Sequence, residues 1–249
     1  MSASDKSSGA SSEVSAPESA LVRGVIFDLD GLILDTETTA HEAWRITGLD
    51  WDLTVPLEMC IEMTGRRYQD MMPIMEKWLP AELDKHAFLD AANVHYDRLL
   101  VDEPPAIKAG VLALLDHIEQ LGLPVIVASS SQRYKIENKL NGAALIERLP
   151  LHVSGHEVAE GKPAPDIFLE AARLIGLPPE HCVVFEDSPP GVAGAAAAGC
   201  IAVMIPDRIA HAADISADHV FERLDLAIAG LAWFDAAKPN ASHNRACEI

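Results

Sequence analysis

The sequence predicts a three-layer α/β fold built on a parallel sheet, with a helical cap inserted after the first strand. Three observations carry that prediction. Short apolar runs, among them Val25–Phe27, Pro124–Ala128 (PVIVA) and Cys182–Phe185 (CVVF), lack the polar alternation of a half-exposed strand, so each strand is to be buried on both faces. Amphipathic helical stretches separate the runs, as the crossovers of a parallel sheet require. Between the first run and the next lie roughly 70 residues with helical spacing and no convincing strand, which is long for a single crossover.

Each element follows in turn. Val22–Phe27 is apolar and β-branched and reads as the first strand. Glu37 to Pro105, rich in Met, Trp, Leu and acids and ending at Pro104-Pro105, reads as the helical insertion, with Trp44, Trp51 and Trp78 in its core. Val111–Leu121 has the apolar spacing of a helix and stops at Gly122. Pro124–Ala128 is a strand, Ser131–Leu140 a helix ending at Asn141-Gly142, and Leu151–Ser154 a short strand. Asp166–Ile175 is a helix closed by Gly176, Cys182–Phe185 a strand, Val192–Ala198 a helix closed by Gly199, and Ile201–Ile205 a strand. Glycine after a helix supplies the left-handed residue that ends it. The expected organisation is a Rossmann-like core at 21–35 and 106–234, a cap at 36–105, a disordered Ser-rich tail at 1–20 and a flexible tail at 235–249. Residues 1–19 hold eight serines and no aromatic, too little apolar surface to order themselves.

Composition narrows the function. The chain has 249 residues, 49% hydrophobic, with 38 acids against 19 Lys plus Arg and a formal net charge of -19. That field repels phosphates, which argues against nucleic acid or an anionic membrane as a partner. No apolar run is long enough to span a bilayer. The cysteines Cys60, Cys182, Cys200 and Cys247 form no CxxC pair, which disfavours a zinc site or a disulfide framework and suits a reducing compartment. His117, His152, His156, His181 and His211 show no ligand spacing. A cytoplasmic monomer is expected.

The chemistry collects at the strand ends. Ligands of open parallel sheets bind there. After the first strand come Asp28 and Asp30; after PVIVA come Ser129, Ser130 and Ser131; a loop after the Leu151 strand carries Gly161-Lys162-Pro163; after CVVF come Glu186, Asp187 and Ser188. Each group alone reads as a turn, a cap or a solvated lysine. Together they combine carboxylates that suit Mg²⁺ with hydroxyls, helix-start amides and a lysine that suit phosphate. The backbone is expected to leave strand geometry at Leu29, and Gly31 eases that turn.

DLDGLILDTE, VASSS, GKPAPD and FEDSPPG resemble the four motifs of the haloacid dehalogenase superfamily, and the early helical insertion resembles its β-phosphoglucomutase-like branch. The resemblance covers roughly residues 22–232 and is loose in the insertion. It implies a Mg²⁺-dependent phosphatase of a small phosphorylated metabolite, such as a sugar phosphate, acting through an aspartyl-phosphate. By that resemblance Asp28 is the nucleophile and Asp30 the general acid and then base. Ser129 and Lys162 bind phosphoryl oxygens, and Mg²⁺ is held by Asp28, the backbone carbonyl of Asp30 and Asp187, with Glu186 nearby. A raised pKa is expected for Asp30, from neighbouring charge and burial. Substrate contacts are expected from Thr36 and Glu37 at the hinge, from Gly65, Arg66 and Arg67 on the cap, and from Ser130, Ser131 and Arg133 in the core. Sugar-phosphate mutases of this branch carry a histidine five residues after the Asp of the Asp-Thr pair and a cap lysine just before an N-x-x-Y stretch. Here those positions hold Ala40, with His41 expected to face away, and Ala92 ahead of Asn93–Tyr96. Both differences favour a phosphatase over a mutase; a catalytically silent protein of the same fold is the third reading.

Overall fold

The computed structural model describes residues 22–206 and 217–230. Its centre is a six-stranded, all-parallel sheet: β1 (Gly24–Phe27), β2 (Val125–Ser129), β3 (His152–Ser154), β4 (Cys182–Glu186), β5 (Ile201–Met204) and β6 (His219–Val220), in the order β3-β2-β1-β4-β5-β6. β1 is fully buried and pairs with β2 on one side and β4 on the other, so that Phe27 lies level with Val127 and Phe185.

Strand alternation divides the apolar side chains into two layers. On one face Val25, Phe27, Val127, Phe185 and Val203 pack under helices α5 (Val111–Leu121), α6 (Arg133–Gly142) and α9 (Leu224–Gly230), through Leu114, Leu115, Ile118, Ile136, Leu140 and Leu224. On the other, Ile26, Ile126, Ala128, Val184 and Met204 pack under α7 (Asp166–Leu174) and α8 (Pro189–Ala197), through Ile167, Phe168, Ala171, Val192 and Ala195. This is the three-layer Rossmann-like core that the apolar runs predict.

The insertion consists of α1 (Glu37–Asp50), α2 (Leu57–Met63), α3 (Met72–Trp78) and α4 (Lys85–Asp102), with a 3₁₀ turn at Tyr68–Asp70. It has an apolar cluster of its own, with Trp44, Met59, Met63, Met75, Phe88 and Leu89 buried. Phe88 stacks on Trp44 at 6.2 Å between ring centroids and meets Trp51 edge-on at 5.5 Å. Trp44 is buried, Trp78 packs at the edge of the cluster, and Trp51 is 36% exposed, a rim residue rather than a core one.

The expected elements lie close to the observed ones, and the differences have local causes. α5 matches its expected span. β2 runs on through Ser129 and β4 through Glu186, so these polar residues are strand residues whose direction is set by sheet register. α8 begins at Pro189 rather than Val192 because Ser188 caps it, its hydroxyl accepting from the Gly191 amide at 3.2 Å, with prolines in the first turn. β6 and α9 carry too little pattern to be read from sequence. Cys60, Cys182 and Cys200 are buried free thiols. The tails, His211 and Cys247 lie outside the described residues. Among the described residues no helix is long and apolar enough to cross a membrane.

Phe88 anchors the cap cluster, so Phe88→Ala should lower stability by about 3–5 kcal/mol. Urea denaturation of the full chain checks this.

Candidate active site

The turn after β1 carries the first two acids. The Asp28 amide donates to the Phe185 carbonyl at 3.0 Å, continuing the sheet by one residue. The chain then leaves strand geometry. Amides of Ile33 and Leu34 donate to the Leu29 carbonyl at 3.0 and 3.1 Å, and Gly31 takes φ +86. Leu29, Leu32, Ile33 and Leu34 are buried and hold the turn down. Gly31 is needed for space as well as for conformation, since a Cβ there would lie 2.0 Å from Asp187 Oδ2.

Beneath the turn lies Lys162, 2% exposed. Its Nζ donates to Asp28 Oδ1, to Glu186 Oε1 at 2.5 Å and to the Ala128 carbonyl at 3.1 Å. Three adjacent strand ends thus converge on one ammonium. Burial works to lower the Lys162 pKa, but Asp28 and Glu186 overcome it and hold the group charged. Glu186 is itself held from its other side. Its Oε2 accepts from the amides of Asp187 (3.1 Å) and Ser188 (3.2 Å) and from the Ser188 hydroxyl (2.9 Å). Gly191 makes room, because a Cβ there would fall 1.9 Å from the Glu186 carboxyl carbon.

Three buried carboxylates, Asp28, Glu186 and Asp187, offer oxygens within 4.8 Å of one another and face a single ammonium. Burial pushes Asp28 up to about 8; Lys162 opposes, while Glu186 and Asp30 add to the rise. Asp187 is pushed well above the carboxylate range by burial first, then by Asp28, Glu186 and Glu37. Its Oδ2 is buried without a hydrogen-bond partner. A surplus of buried negative charge with an orphaned carboxylate oxygen is what a hard divalent cation with oxygen ligands fits. Both Glu186 oxygens are already engaged by donors of the chain, so Asp28 and Asp187 are the carboxylates open to such an ion.

Asp30 points elsewhere. Its Oδ1 accepts from Lys139 Nζ at 2.5 Å, and its Oδ2 accepts from the hydroxyls of Ser131 at 2.9 Å and Ser129 at 3.2 Å. Here the structure corrects the sequence reading. Burial does work to raise the Asp30 pKa, but Lys139 and the Ser131 and Thr36 hydroxyls outweigh it, and the group is held below the ordinary carboxylate value. Lys139 is the residue that sequence reasoning missed. It is buried, donates also to Ser131 Oγ at 3.2 Å, and lies 5.2 Å from the Tyr96 ring centroid. The available signal was spacing: Lys135 and Lys139 are one turn apart on α6, the helix that follows the serine run.

A cavity of about 510 Å³ lies between this floor and the cap. Of the residues singled out from sequence, Asp28, Asp30, Ser129, Ser130 and Ser131 border it from the core, and Glu37, Gly65 and Arg66 from the hinge and cap. Lys162, Glu186 and Asp187 lie beneath its floor. Thr36 is buried beside Asp30 rather than facing the cavity. Two expected substrate contacts are not there. Arg67 is turned into the protein, with Nε and Nη2 on Asp70 at 2.6 and 3.1 Å and Nη1 on the carbonyl of Gly155 at 3.1 Å. Arg133 lies outside the cavity, its guanidinium on Glu157 at 2.5 and 2.7 Å and on the His152 carbonyl at 3.2 Å. Both guanidinium groups are bound by carboxylates and carbonyls of the chain itself. Ala40 and Ala92 border the cavity, and so does His41, contrary to its expected direction.

Comparison with known proteins bears on the family and the fold. Residues 22–199 match the haloacid dehalogenase-like hydrolases. A probable pseudouridine-5'-phosphatase of Drosophila melanogaster is 34% identical over 190 residues, covering 73% of this chain and 80% of its own. The fructose-1-phosphate phosphatase YqaB of Escherichia coli K12 is 33% identical over 195 residues, covering 72% and 94%. The crystal structure of CbbY from Rhodobacter sphaeroides in complex with phosphate superposes with a TM-score of 0.72 at 23% identity, covering 86% of this chain and 99% of that one.

The charge surplus has a measurable consequence. In the folded chain without a divalent cation, Asp28 and Asp187 keep protons at pH values where the unfolded chain has lost them. The folded state then binds more protons, so this contribution to stability falls as pH rises from about 4 through about 8. Asp187→Asn should make that fall smaller. Mg²⁺ at 100 times its Kd should raise wild-type stability by about 2.7 kcal/mol, and the Asn variant should lose most of that rise. Denaturation from pH 5 to 8, with and without Mg²⁺, reads both effects.

Proposed function

The chain belongs to the haloacid dehalogenase-like hydrolases and is a phosphoric monoester hydrolase; on that premise we propose that it is of their β-phosphoglucomutase-like branch and is a Mg²⁺-dependent phosphatase of a small phosphorylated metabolite, a sugar phosphate or similar, acting through an aspartyl-phosphate on Asp28. The observation that carries the reading is Asp28 itself: a buried carboxylate at the floor of the cavity under the cap, fixed by Lys162 and beside the orphaned oxygen of Asp187.

Bound Mg²⁺, held by Asp28 and Asp187, would offset the charge of the phosphoryl group and stabilise the ionised nucleophile. The chain's own residues do the rest. Lys162 holds Asp28 Oδ1, which leaves the other oxygen to attack phosphorus; the P–O bond to the leaving group breaks, and an acyl phosphate remains that water attacks more readily than the ester. Ser129 and the amides that follow β2 cradle phosphoryl oxygens. Asp30, held ionised by Lys139, is in the form that takes a proton from the attacking water. To protonate the leaving oxygen in the first half, the same carboxyl must be released by Lys139, whereupon burial dominates and raises its pKa.

Ala40 and Ala92, where the resemblance puts the mutase histidine and lysine, border the cavity and support hydrolysis over phosphoryl shift, while His41, Lys135 and Lys139 bring titratable groups to the same wall.

The test is phosphate release from a panel of phosphorylated metabolites and a generic aryl phosphate, with and without Mg²⁺. Asp28→Asn should lose about 10⁴-fold in kcat and Mg²⁺ removal should abolish turnover. If no compound releases phosphate while a hexose phosphate is isomerised in the presence of a bisphosphate activator, the mutase reading replaces this one. Lys139→Met should depress kcat and shift its acidic limb to higher pH, since Asp30 loses the charge that holds it ionised; an unmoved limb means Lys139 does not set Asp30.

A further inference from the structure

Arg67 is 5% exposed and does not border the cavity. Buried arginines need every donor placed. Asp70 takes two of the donors side by side, and Nη1 points into a turn of main chain, donating to the carbonyls of Gly155 (3.1 Å), Val158 (3.4 Å) and Ala159 (3.3 Å). The loop wraps the side chain closely. A Cβ on Gly155 would lie 3.2 Å from Arg67 Cγ and Cδ, and one on Gly161 would lie 2.3 Å from its Nε and 2.6 Å from Asp70 Oδ2. The next residue after Gly161 is Lys162. A second contact ties the same cap loop to the end of β2, the Ser130 hydroxyl donating to the Gly65 carbonyl at 2.7 Å.

We propose that Arg67 is a positioning residue for catalysis: it enters the loop at 155–161 only when the cap is docked, and by shaping that loop it sets Lys162 against Asp28 and Glu186. The proposal rests on the phosphatase reading, because Lys162 matters to rate only where Asp28 is the nucleophile. Its physical content is simple. With the cap lifted, three carbonyls lose their donor and the loop loses the side chain it is built around, so the segment before Lys162 keeps only its own contacts, the Ser154–Glu157 capping box, the Glu160 amide on Asp166 and the Gly161–Ala164 turn. With the cap shut, the guanidinium completes the loop. The phosphoryl site is then assembled only in the state that closes the cavity over substrate.

The test is steady-state phosphate release by the full chain carrying Arg67→Ala, Gly161→Ala or both. Arg67→Ala should lose about 10²-fold in kcat with KM little changed, since Arg67 touches no substrate. Gly161→Ala, which pushes a methyl against the guanidinium, should lose kcat as well, and the double variant should be no worse than the poorer single one. Unchanged kcat, a loss confined to KM, or losses that multiply would overturn the proposal. Should Arg67→Ala fail to fold, Gly161→Ala decides alone: wild-type kcat overturns it and a kcat loss at constant KM supports it. A wild-type chain inactive on the whole panel fails the phosphatase reading instead, which separates the two.

Discussion

The ammonium of Lys162 among the carboxylates of Asp28 and Glu186 is the constraint on which the site depends. A buried charge is tolerated only with partners, and losing one partner strands the others. The partners here come from β1, β4 and β2, so they meet only because β1 lies between the other two in the sheet. Register matters for the same reason. A one-residue slip of β4 would turn Glu186 to the opposite face. Gly31 and Gly191 answer to the same cluster, each leaving the space that a carboxylate fills. Fold and chemistry share one set of contacts.

Around that cluster the two acids of the first motif are driven apart. Asp28 and Asp30 are two residues apart on one turn, yet burial and neighbouring carboxylates raise the first, while Lys139 and hydroxyls lower the second. Two like groups with opposed environments can hold different roles at one pH. The distinction is made by two lysines that arrive from different directions, Lys162 from the loop after β3 and Lys139 from the second turn of α6.

Legibility in the sequence follows the range of the forces involved. Buried strands show as apolar runs because both faces must be apolar, and strand-end acids show because the backbone puts them there whatever their side chains do next. Arg67, Arg133 and Lys139 were harder. A long flexible side chain can reach many groups, and which one it reaches is decided by packing between segments far apart in sequence, as with Arg67 and Gly155. The Asp30 pKa failed for the same reason: its burial could be foreseen, but the lysine that outweighs burial lies 109 residues away. His41 borders the cavity because Glu37, Ala40, His41 and Trp44 lie on one face of α1, so the residue after Ala40 faces the same way.

The long-range contacts also explain how a chain with net charge -19 can hold an anion. Four nearby cations are already matched: Lys162 by Asp28 and Glu186, Lys139 by Asp30, Lys135 by Asp97 at 2.8 Å, Arg67 by Asp70. Arg66, at the cap side of the cavity, has its Nε on the neutral Glu62 carbonyl at 3.0 Å. At the floor, affinity for the phosphoryl group would then come from neutral donors, the hydroxyls and amides after β2, and from a cation held by the carboxylate cluster, with Arg66 adding positive charge from the cap side. A site balanced in this way would favour an anion at the floor, where a bound cation would compensate the carboxylates.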